Sequence, residues 1–178
     1  EFWHNGNQDC VLLIKNITTF WGHSALNDIE RYHNGSSVWY SEQPLSDKQY
    51  PQLLQAADII IQPSHCEGFG LIPLEAMALD KPVCVTNYSG FTEYANAYNS
   101  SLIKVTETNG GPFSAFPYCD FTPEDGAQAF AEAIRVGSSQ TETRRKTVNK
   151  FNWNTSTDIL LSLLPKPIRS NFAHPLKN

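Results

Sequence analysis

The stretch that decides the fold runs from Ile59 to Val85 and reads IIIQPSHCEGFGLIPLEAMALDKPVCV. Apolar runs open and close it, at Ile59–Gln62 and Val83–Thr86, and they do not alternate with polar residues. Such runs are typical of strands that are buried on both faces of a parallel sheet. Between them, a loop with two glycines leads into a predicted helix over Leu71–Leu79, and Asp80–Pro82 forms the turn. The stretch therefore predicts a strand, a glycine loop, a helix and a second strand.

Strands and helices continue to alternate on both sides of this stretch. Three more apolar runs of strand length lie at Val11–Ile17, Ser37–Ser41 and Ser101–Val105. Apolar stripes and capping residues predict further helical segments from Ser24 to Asn34, from Ser46 to Ala57, over Phe91–Ala95, from Thr122 onward, over Thr143–Lys150 and over Asp158–Leu164. Residues 106–120 are predicted to be irregular. This alternation indicates an α/β fold, a Rossmann-like parallel sheet with helices on both faces.

Two of the predicted helices have a clear start signal. Ser46 is followed three residues later by Gln49, which is a capping-box pattern, and Thr122 is followed by Pro123 at a position where proline suits a helix start. The predicted buried stripes are Tyr50, Leu53, Leu54 and Ala57 in the first of these helices, and Ala127, Phe130, Ala131 and Ile134 in the second.

Length and composition describe one globular domain with a mildly acidic balance. The 178 residues are 40% hydrophobic, and 13 Lys and Arg stand against 18 Asp and Glu, for a formal net charge of −5. This charge gives no general attraction to nucleic acid or to anionic membranes. No apolar run reaches the length of a membrane span. We assign residues 1–164 to the domain, and 165–178 to a proline-containing tail that needs another surface to lie on.

The cysteine pattern favours reduced thiols and a cytoplasmic location. Four cysteines are present, at Cys10, Cys66, Cys84 and Cys119, and no pair has the C-x-x-C spacing of a zinc or redox site. No His, Asp or Glu spacing indicates a metal site. Five N-x-S/T triplets begin at Asn16, Asn34, Asn87, Asn99 and Asn154. Triplets of this kind are frequent by chance, so we interpret them as unmodified.

The glycine loop is placed where ligands bind in an open parallel sheet, beyond the carboxyl end of a strand. Gly68 and Gly70 let the backbone turn sharply and approach a ligand. The first turn of the following helix has unpaired N–H groups and a partial positive charge. Because Pro73 has no N–H, the groups from Phe69 to Ile72 are the ones that predict a phosphate or diphosphate site.

Two glutamates stand on either side of this predicted anion site. Glu75 lies about one turn inside the helix, where a carboxylate suits the hydroxyl groups of an adjacent sugar. Glu67 precedes the glycines, on the side of a second hydroxylated group. The alternative is that Glu75 only complements the helix dipole and that Glu67 is a solvated loop residue. The pair fits a ligand in which a ribose, a diphosphate and a hexose follow in order.

These residues carry a resemblance to a known family. Glu67-Gly68-Phe69-Gly70-Leu71 followed by Glu75-Ala76-Met77-Ala78 resembles the E-x7-E motif of the retaining glycosyltransferases of family 4, the glycosyl transferases group 1, which have the GT-B fold. Two flanking stretches are also similar to elements of the family. Ala56-Ala57-Asp58 is similar to its "AAD" element, and Lys81-Pro82-Val83 fits its "G-x-P-V" element, although Asp80 stands where glycine is usual. Asn87–Tyr94 resembles an "SG-x-x-E" element of one branch, and Lys150–Trp153 is like a late "F-S-W" element.

The resemblance implies a role for each matching residue. Glu75 is expected to hold the ribose of a nucleoside-diphosphate sugar with UDP, GDP or ADP as its nucleotide part. The backbone N–H groups of Phe69, Gly70 and Leu71, after Gly68, are expected to hold the diphosphate. Glu67 is the candidate catalytic residue, in contact with the donor sugar. Lys15 is the candidate cation for the diphosphate, and the alternative is a lysine that extends from the sheet edge into solvent. The resemblance implies no metal and no further cofactor.

The resemblance also implies that the chain is the C-terminal, donor-binding half of an enzyme. In GT-B glycosyltransferases the acceptor, a glycan, lipid or protein, binds mainly to an N-terminal domain, and we expect this chain alone to be inactive in sugar transfer. Residues 165–178 are then expected to pack on that domain. The alternatives are a non-catalytic nucleotide-sugar-binding module or subunit, and another GT-B relative such as a sugar-nucleotide epimerase. We interpret His65, next to Glu67, as structural.

Overall fold

A computed structural model describes residues 11–15, 38–108 and 117–164. The predicted helix from Ser24, the polar start of the chain and the tail at 165–178 lie outside these residues. The strands in chain order are β1 Leu12–Lys15, β2 Val38–Ser41, β3 Ile60–Gln62, β4 Val83–Thr86, β5 Ser101–Ile103, β6 Thr106–Thr108 and β7 Tyr118–Asp120. The α-helices are α1 Gln49–Ala56, α2 Leu71–Ala78, α3 Pro123–Val136, α4 Thr141–Lys150 and α5 Trp153–Leu163. Two 3₁₀ helices span Ser89–Glu93 and Gly137–Gln140.

Parallel strands and helices confirm the predicted α/β class. β3, β4 and β5 form a parallel sheet in that order, with Ile61 opposite Cys84. β1 and β2 form a second parallel pair, in which Lys15 lies opposite Ser41. Within the described ranges the five strands therefore divide into two hydrogen-bonded sheets and do not form a single one. An apolar run predicts that a strand is buried but does not say which strand lies beside it.

Helices cover both faces of the β3-β4-β5 sheet. On β4, Val83 and Val85 point into one core cluster, which they share with Leu74 and Met77 of α2. Cys84 points to the opposite face, into a cluster with Ala133 of α3. Alternate residues of β4 are thus buried by different helices, which is why this strand has no polar alternation.

The expectation that residues 106–120 are irregular was wrong for Thr106–Thr108 and Tyr118–Asp120, while residues 109–116 lie outside the described residues. β6 and β7 pair as antiparallel strands, with Glu107 opposite Cys119. The preceding strand accordingly ends at Ile103, two residues earlier than predicted. Each of the paired strands has only three residues, and TET has no apolar position, so neither gives a measurable period.

Helix α3 begins as predicted, but it is buried through a different face. Thr122 and Asp125 form the capping box: the Thr122 hydroxyl accepts from the Asp125 N–H, and the Asp125 carboxylate accepts in return. The buried residues are Ala129 and Ala133, while Ile134 is 53% exposed. The predicted stripe was therefore wrong. Alanines allow the helix to lie close to β5, so small residues mark the buried face and the larger apolar residues do not.

The turn after α2 explains why aspartate stands at position 80. Asp80 has a φ of 58°, in the left-handed region that favours glycine, and the N–H groups of Asp80 and Lys81 close the helix end on the carbonyls of Met77 and Ala76. Aspartate is among the side chains that tolerate this region. Its carboxylate accepts from the buried Arg144 of α4 at 2.6 Å, which ties the turn to that helix. The aspartate thus does what the usual glycine does and adds an ion pair.

Helix α5 is the least buried element of the described chain. It begins at Trp153, five residues before the predicted start, because the Asn152 side chain caps it by accepting from the Thr155 N–H at 2.9 Å. None of its residues is buried, and its exposed apolar side chains are Trp153, Ile159, Leu160 and Leu163. No helix in the described ranges has the length and apolar character needed to cross a membrane.

Candidate functional site

The glycine loop lies at the carboxyl end of the parallel sheet. It leaves β3 after Gln62 and enters α2 at Leu71. The Thr86 hydroxyl, at the end of β4, donates to the Ser64 carbonyl at 2.7 Å and holds the first part of the loop against the neighbouring strand. The structure therefore puts the loop where open α/β sheets bind their ligands.

Gly70 fixes the entry into α2. Its φ is 79°, and a Cβ there would lie 2.2 Å from the Cε1 atom of Phe91, so both conformation and space require glycine. The Tyr94 hydroxyl donates to the Gly70 carbonyl at 2.5 Å. Burial, and then the negative charge of Glu67, raise the pKa of Tyr94, so its hydroxyl remains a donor. The buried rings of Phe91 and Tyr94 therefore hold the backbone at the start of α2 in place.

The start of α2 is open toward solvent. No side chain caps it, and Leu71 is 54% exposed. The first N–H groups of a helix have no partner within the helix, so those of α2 are available to an anion. Phe69, just before, points the other way: its ring packs 5.4 Å from that of Tyr94 and 5.8 Å from that of Phe151. Its side chain anchors the loop while its backbone stays at the surface of the predicted anion site.

A second loop braces the first. Ser89 accepts from the Glu67 N–H at 2.9 Å through its hydroxyl, and the Gly90 N–H donates to the Glu67 carbonyl at 3.1 Å. A Cβ on Gly90 would lie 2.5 Å from the Gly68 carbonyl oxygen, so only glycine allows this approach. Ser89 and Gly90 are the "SG" of the "SG-x-x-E" element at Asn87–Tyr94. Its function here is to hold the backbone of Glu67 on both sides.

The carboxylate of Glu67 is oriented through one of its two oxygens. Oε1 accepts from Gln62 Nε2 at 2.8 Å and from the Ser64 hydroxyl at 2.8 Å. Glu67 is partly buried. Within the described ranges both donors approach the same oxygen, so Oε2 has lone pairs for another donor. A carboxylate with one oxygen occupied and the other available can accept from a hydroxyl group of a ligand.

Glu75 lies on the exposed side of α2 and has a partner from another helix. Tyr50 of α1 donates from its hydroxyl to Glu75 Oε2 at 2.6 Å. Burial first, and then the hydrogen bond and the charge of Glu75, raise the pKa of Tyr50. The tyrosine is therefore protonated at neutral pH and acts as a donor to the carboxylate.

The structure brings most of the predicted site residues together, and it places Lys15 on a different sheet. Gly68, Phe69, Gly70 and Leu71 form the continuous loop and helix start, with Glu67 before and Glu75 after them. Lys15 ends β1, which pairs with β2.

His65 pairs with β7 rather than with its neighbour in sequence. Its carbonyl accepts from the Cys119 N–H at 3.0 Å, and its Nδ1 lies 2.7 Å from the Cys119 carbonyl. These contacts are the structural role expected for His65.

Several residues of the site were not found from the sequence. Ser64 stands three residues before Glu67, a spacing that favours a local hydrogen bond. Tyr50 and Gln62 gave no signal, because the bonds that they make depend on how α1, β3 and α2 meet in space. Tyr94 ends the stretch Asn87–Tyr94 that resembles "SG-x-x-E". Nothing in that stretch indicated that the Tyr94 hydroxyl donates a hydrogen bond to the Gly70 carbonyl.

Clusters of candidate metal ligands and disulfides are not found among the residues that the structure describes. No cluster of three or more His, Cys, Asp or Glu side chains is found there. Cys66, Cys84 and Cys119 are free thiols, and burial raises the pKa of Cys84 to about 12. Cys84 is thus an apolar core residue, as its strand position indicated.

Comparison with known proteins assigns the family. The profile of the family described as "Glycosyl transferases group 1" matches residues 15–109, more than half of the chain. The chain belongs to the glycosyl transferases group 1 family. The match runs from Lys15, the last residue of β1, to just beyond β6, and it includes the loop, the start of α2 and both glutamates.

Curated relatives of the chain are bacterial glycosyltransferases. A D-inositol 3-phosphate glycosyltransferase of Saccharomonospora viridis is 29% identical over 67% of this chain and 25% of its own length. The serotype-specific mannosyltransferase WbdA of Escherichia coli is 24% identical over 93% of this chain and 18% of its own length. The chain thus spans a quarter or less of the length of these relatives.

Solved structures confirm the fold. Alr3699/HepE of Anabaena, determined in complex with UDP-glucose, matches 78% of this chain and 35% of its own with a TM-score of 0.55 and 18% identity. WaaG, a glycosyltransferase involved in lipopolysaccharide biosynthesis, matches 92% of this chain and 38% of its own with a TM-score of 0.54 and 18% identity. The chain has an α/β fold similar to that of GT-B glycosyltransferases.

Proposed function

We propose that this chain is the donor-binding half of a retaining hexosyltransferase that takes a sugar from a UDP-, GDP- or ADP-sugar. The observation that carries the proposal is the uncapped start of α2, which lies between the carboxylates of Glu67 and Glu75. Backbone donors between two hydroxyl acceptors complement a diphosphate between two sugars. Membership of the glycosyl transferases group 1 supports the same reading, as does a structural relative determined with UDP-glucose.

Each part of the donor has a candidate partner. The N–H groups of Phe69, Gly70 and Leu71, after the turn at Gly68, bind the diphosphate. Glu75 accepts from the ribose hydroxyls, while Glu67 uses Oε2 to contact the donor sugar. The order of these residues along the loop and α2 matches the order of the parts of the donor.

The chemical step requires stabilisation of the leaving diphosphate. Negative charge grows on it as its bond to the anomeric carbon of the sugar breaks, and fixed donors aimed at that charge lower the barrier. The N–H groups at the start of α2 supply this, and Lys15 is proposed as the cation that assists them. With these positive partners the reaction proceeds without a metal ion. Glu67 touches the reacting sugar and is the proposed catalytic residue.

An acceptor site is proposed for a part of the protein that precedes this domain. The relatives and structures described above are much longer than the chain, which covers 18–38% of their lengths. We assign residues 1–164 to donor binding and 165–178 to a tail that packs on an N-terminal domain. That domain would bind the acceptor, a glycan, lipid or protein. The chain alone is then expected to bind donor without transferring sugar.

A binding titration tests the donor site. UDP, GDP, ADP and their glucose and mannose esters are titrated against the chain by calorimetry, and again with Glu75→Ala. At least one nucleotide should bind, and the substitution should weaken it about tenfold or more, because hydrogen bonds to a charged group contribute about 1.5–3 kcal/mol. Glu124→Ala, at an exposed glutamate at the start of α3, is the matched control and should bind as the original chain does. Absence of binding, or equal losses in both variants, would reject the donor site.

Product analysis on a longer protein that carries this domain tests the reaction. Retention predicts that the new glycosidic bond has the anomeric configuration of the donor, which NMR spectroscopy reads directly. The same assay in EDTA should proceed at an unchanged rate. An inverted product or a rate abolished by EDTA would contradict the retaining or the metal-independent part of the proposal. If the nucleotide sugar binds but no acceptor is ever glycosylated, the non-catalytic binding module is the better description.

A further inference from the structure

Tyr50 is the one residue outside the glycine loop and α2 whose side chain bonds directly to Glu75 among the contacts described above. We propose that Tyr50 is a positioning residue, which holds the Glu75 carboxylate ready for the ribose hydroxyls and so strengthens the preference for ribonucleotides over their deoxy forms. The inference rests on the proposed donor site. Tyr50 itself is not expected to touch the donor.

The position of Tyr50 is fixed by the start of its own helix. Ser46 and Gln49 form reciprocal hydrogen bonds there: the Gln49 side chain accepts from the Ser46 N–H at 3.0 Å, and the Ser46 hydroxyl accepts from the Gln49 N–H at 3.4 Å. Tyr50 follows directly, in the first turn of α1, and its N–H donates to the Ser46 carbonyl at 3.0 Å. The phenol therefore reaches Glu75 from a backbone that is already held.

The bond restrains a side chain that would otherwise be mobile. Glu75 is exposed, and an exposed glutamate keeps rotamer freedom that it must give up when it binds a ligand. The hydroxyl of Tyr50 removes part of that freedom before the ligand arrives. Since an ionised carboxylate has about four acceptor sites, one donor on Oε2 leaves the others for a ribose. The tyrosine thus prepares Glu75 without competing with the ribose.

The phenol remains a donor across the pH range in which the protein is studied. Burial and the neighbouring carboxylate raise the pKa of Tyr50, so the hydroxyl does not ionise at neutral or mildly alkaline pH. The hydroxyl can therefore donate to the Glu75 carboxylate throughout that range. A phenylalanine at this position keeps the ring and its packing and removes only the donor.

The test compares two nucleotides in two variants. Tyr50→Phe is titrated with whichever of UDP, GDP or ADP binds, and with its 2′,3′-dideoxy form. We expect the ribonucleotide to bind about 3- to 10-fold more weakly, the range set by one net hydrogen bond, and the dideoxy form to change by less than about twofold. Tyr98→Phe is the matched control, because Tyr98 is 79% exposed and lies in the loop that precedes β5, and it should bind both nucleotides as the original chain does.

A double-substitution cycle separates positioning from a merely structural role. If Tyr50 acts through Glu75, then Tyr50→Phe has no further effect on ribonucleotide affinity in a Glu75→Ala background. A tyrosine that only ties α1 to α2 would weaken both nucleotides equally, with or without Glu75, and that result would overturn the inference. Unchanged or tighter ribonucleotide binding by Tyr50→Phe would also overturn it. A chain in which Glu75→Ala has no effect would instead reject the donor site itself, so the two failures are distinguishable.

Discussion

At the scale of single residues, two glycines in one loop differ in how well they should tolerate a larger side chain. Gly70 has a left-handed φ, and a Cβ there would overlap the Phe91 ring. Gly68 does not have a left-handed φ. A Cβ there would have no described atom within 4 Å, apart from those of Gly68 itself and of its two neighbours in the chain. The same motif therefore contains one glycine that the fold requires and one whose small size leaves room above the backbone. That room is where the proposed diphosphate and sugar approach.

Gly70→Ala should destabilise the chain by at least about 2 kcal/mol, because it adds overpacking of about 1–3 kcal/mol to left-handed strain of similar size. Chemical denaturation followed by circular dichroism measures this change in the free energy of unfolding. Gly68→Ala provides the matched comparison and should cost less than about 1 kcal/mol, since alanine also lowers the entropy of the unfolded chain. Equal losses for the two substitutions would contradict both the overlap with Phe91 and the backbone strain at Gly70.

Asp80 is a second residue at which local geometry and charge meet. Arg144 is 1% exposed, and the carboxylate that neutralises it is 53% exposed. Asp80→Asn keeps a side chain that tolerates the left-handed region but removes the charge. A fully buried broken pair costs about 3–5 kcal/mol, and solvent at Asp80 reduces this to about 1–3 kcal/mol. Denaturant unfolding measures the loss.

The control for Asp80 is an ion pair that lies fully at the surface. Glu142 pairs with Arg145 at 2.8 Å, and both side chains are more than half exposed. Glu142 also lies 3.6 Å from Lys146, so Glu142→Gln removes two exposed pairs, and the free energy of unfolding should still change by less than about 1 kcal/mol, because surface pairs contribute little. If Asp80→Asn were equally neutral, then the hydrogen bonds of Arg144 to the carbonyls of Gly137 and Asp80 would be sufficient to hold it.

At the scale of elements, the start of α3 gives a prediction for the dependence of stability on pH. The hydrogen bonds from Thr122 lower the pKa of Asp125 below its usual value. A group whose folded pKa is lowered stabilises the fold above its unfolded pKa, near 4, and this contribution disappears as the pH falls through the folded pKa. Thr122→Ala should therefore cost about 1 kcal/mol at pH 7, the usual loss for a cap, and less at pH 2 to 3. A loss that stays the same at both pH values would contradict a role for the charged Asp125.

Elements were predictable from the sequence where their signals are local. The β3–α2–β4 order, the capping box of α3 and the turn after α2 all follow from residues within about ten positions of one another. The buried face of α3 was not predictable. Its buried residues are alanines, which carry little hydrophobic signal although they determine how closely the helix approaches the sheet. The β6–β7 pair was also missed, since three-residue strands have no detectable period.

The same limit applies to the candidate site. The glycine loop, the start of α2 and the two glutamates on either side of them could be predicted, because the motif is contiguous. The partners that orient the glutamates could not: Tyr50 comes from α1 and Gln62 from the end of β3, and only packing brings them to Glu75 and Glu67. Sequence thus identified the groups expected to meet the ligand, and the structure added those that hold them in place.

At the scale of the whole molecule, the proposed anion site contrasts with the charge of the chain that carries it. The formal net charge is −5, so the long-range field repels a nucleoside diphosphate. In the proposed site, attraction at short range would come from the N–H groups of α2, with Lys15 as the proposed cation. An open helix start supplies fixed dipoles rather than a cluster of mobile cations, and dipolar attraction falls off within the first turn.

This contrast predicts how binding responds to salt. Raising NaCl from about 0.02 M to about 0.2 M shortens the Debye length from about 20 Å to about 7 Å, which screens the repulsion by the whole chain more than the contacts inside the site. The Kd of the nucleotide that binds should therefore stay within about twofold or decrease, whereas a site built from several Lys and Arg residues loses affinity as salt competes for the phosphates. Calorimetric titration at the two salt concentrations, with the neutral nucleoside as the control, measures the response. A Kd that rises about tenfold would show that cations, and not the start of α2, supply most of the attraction.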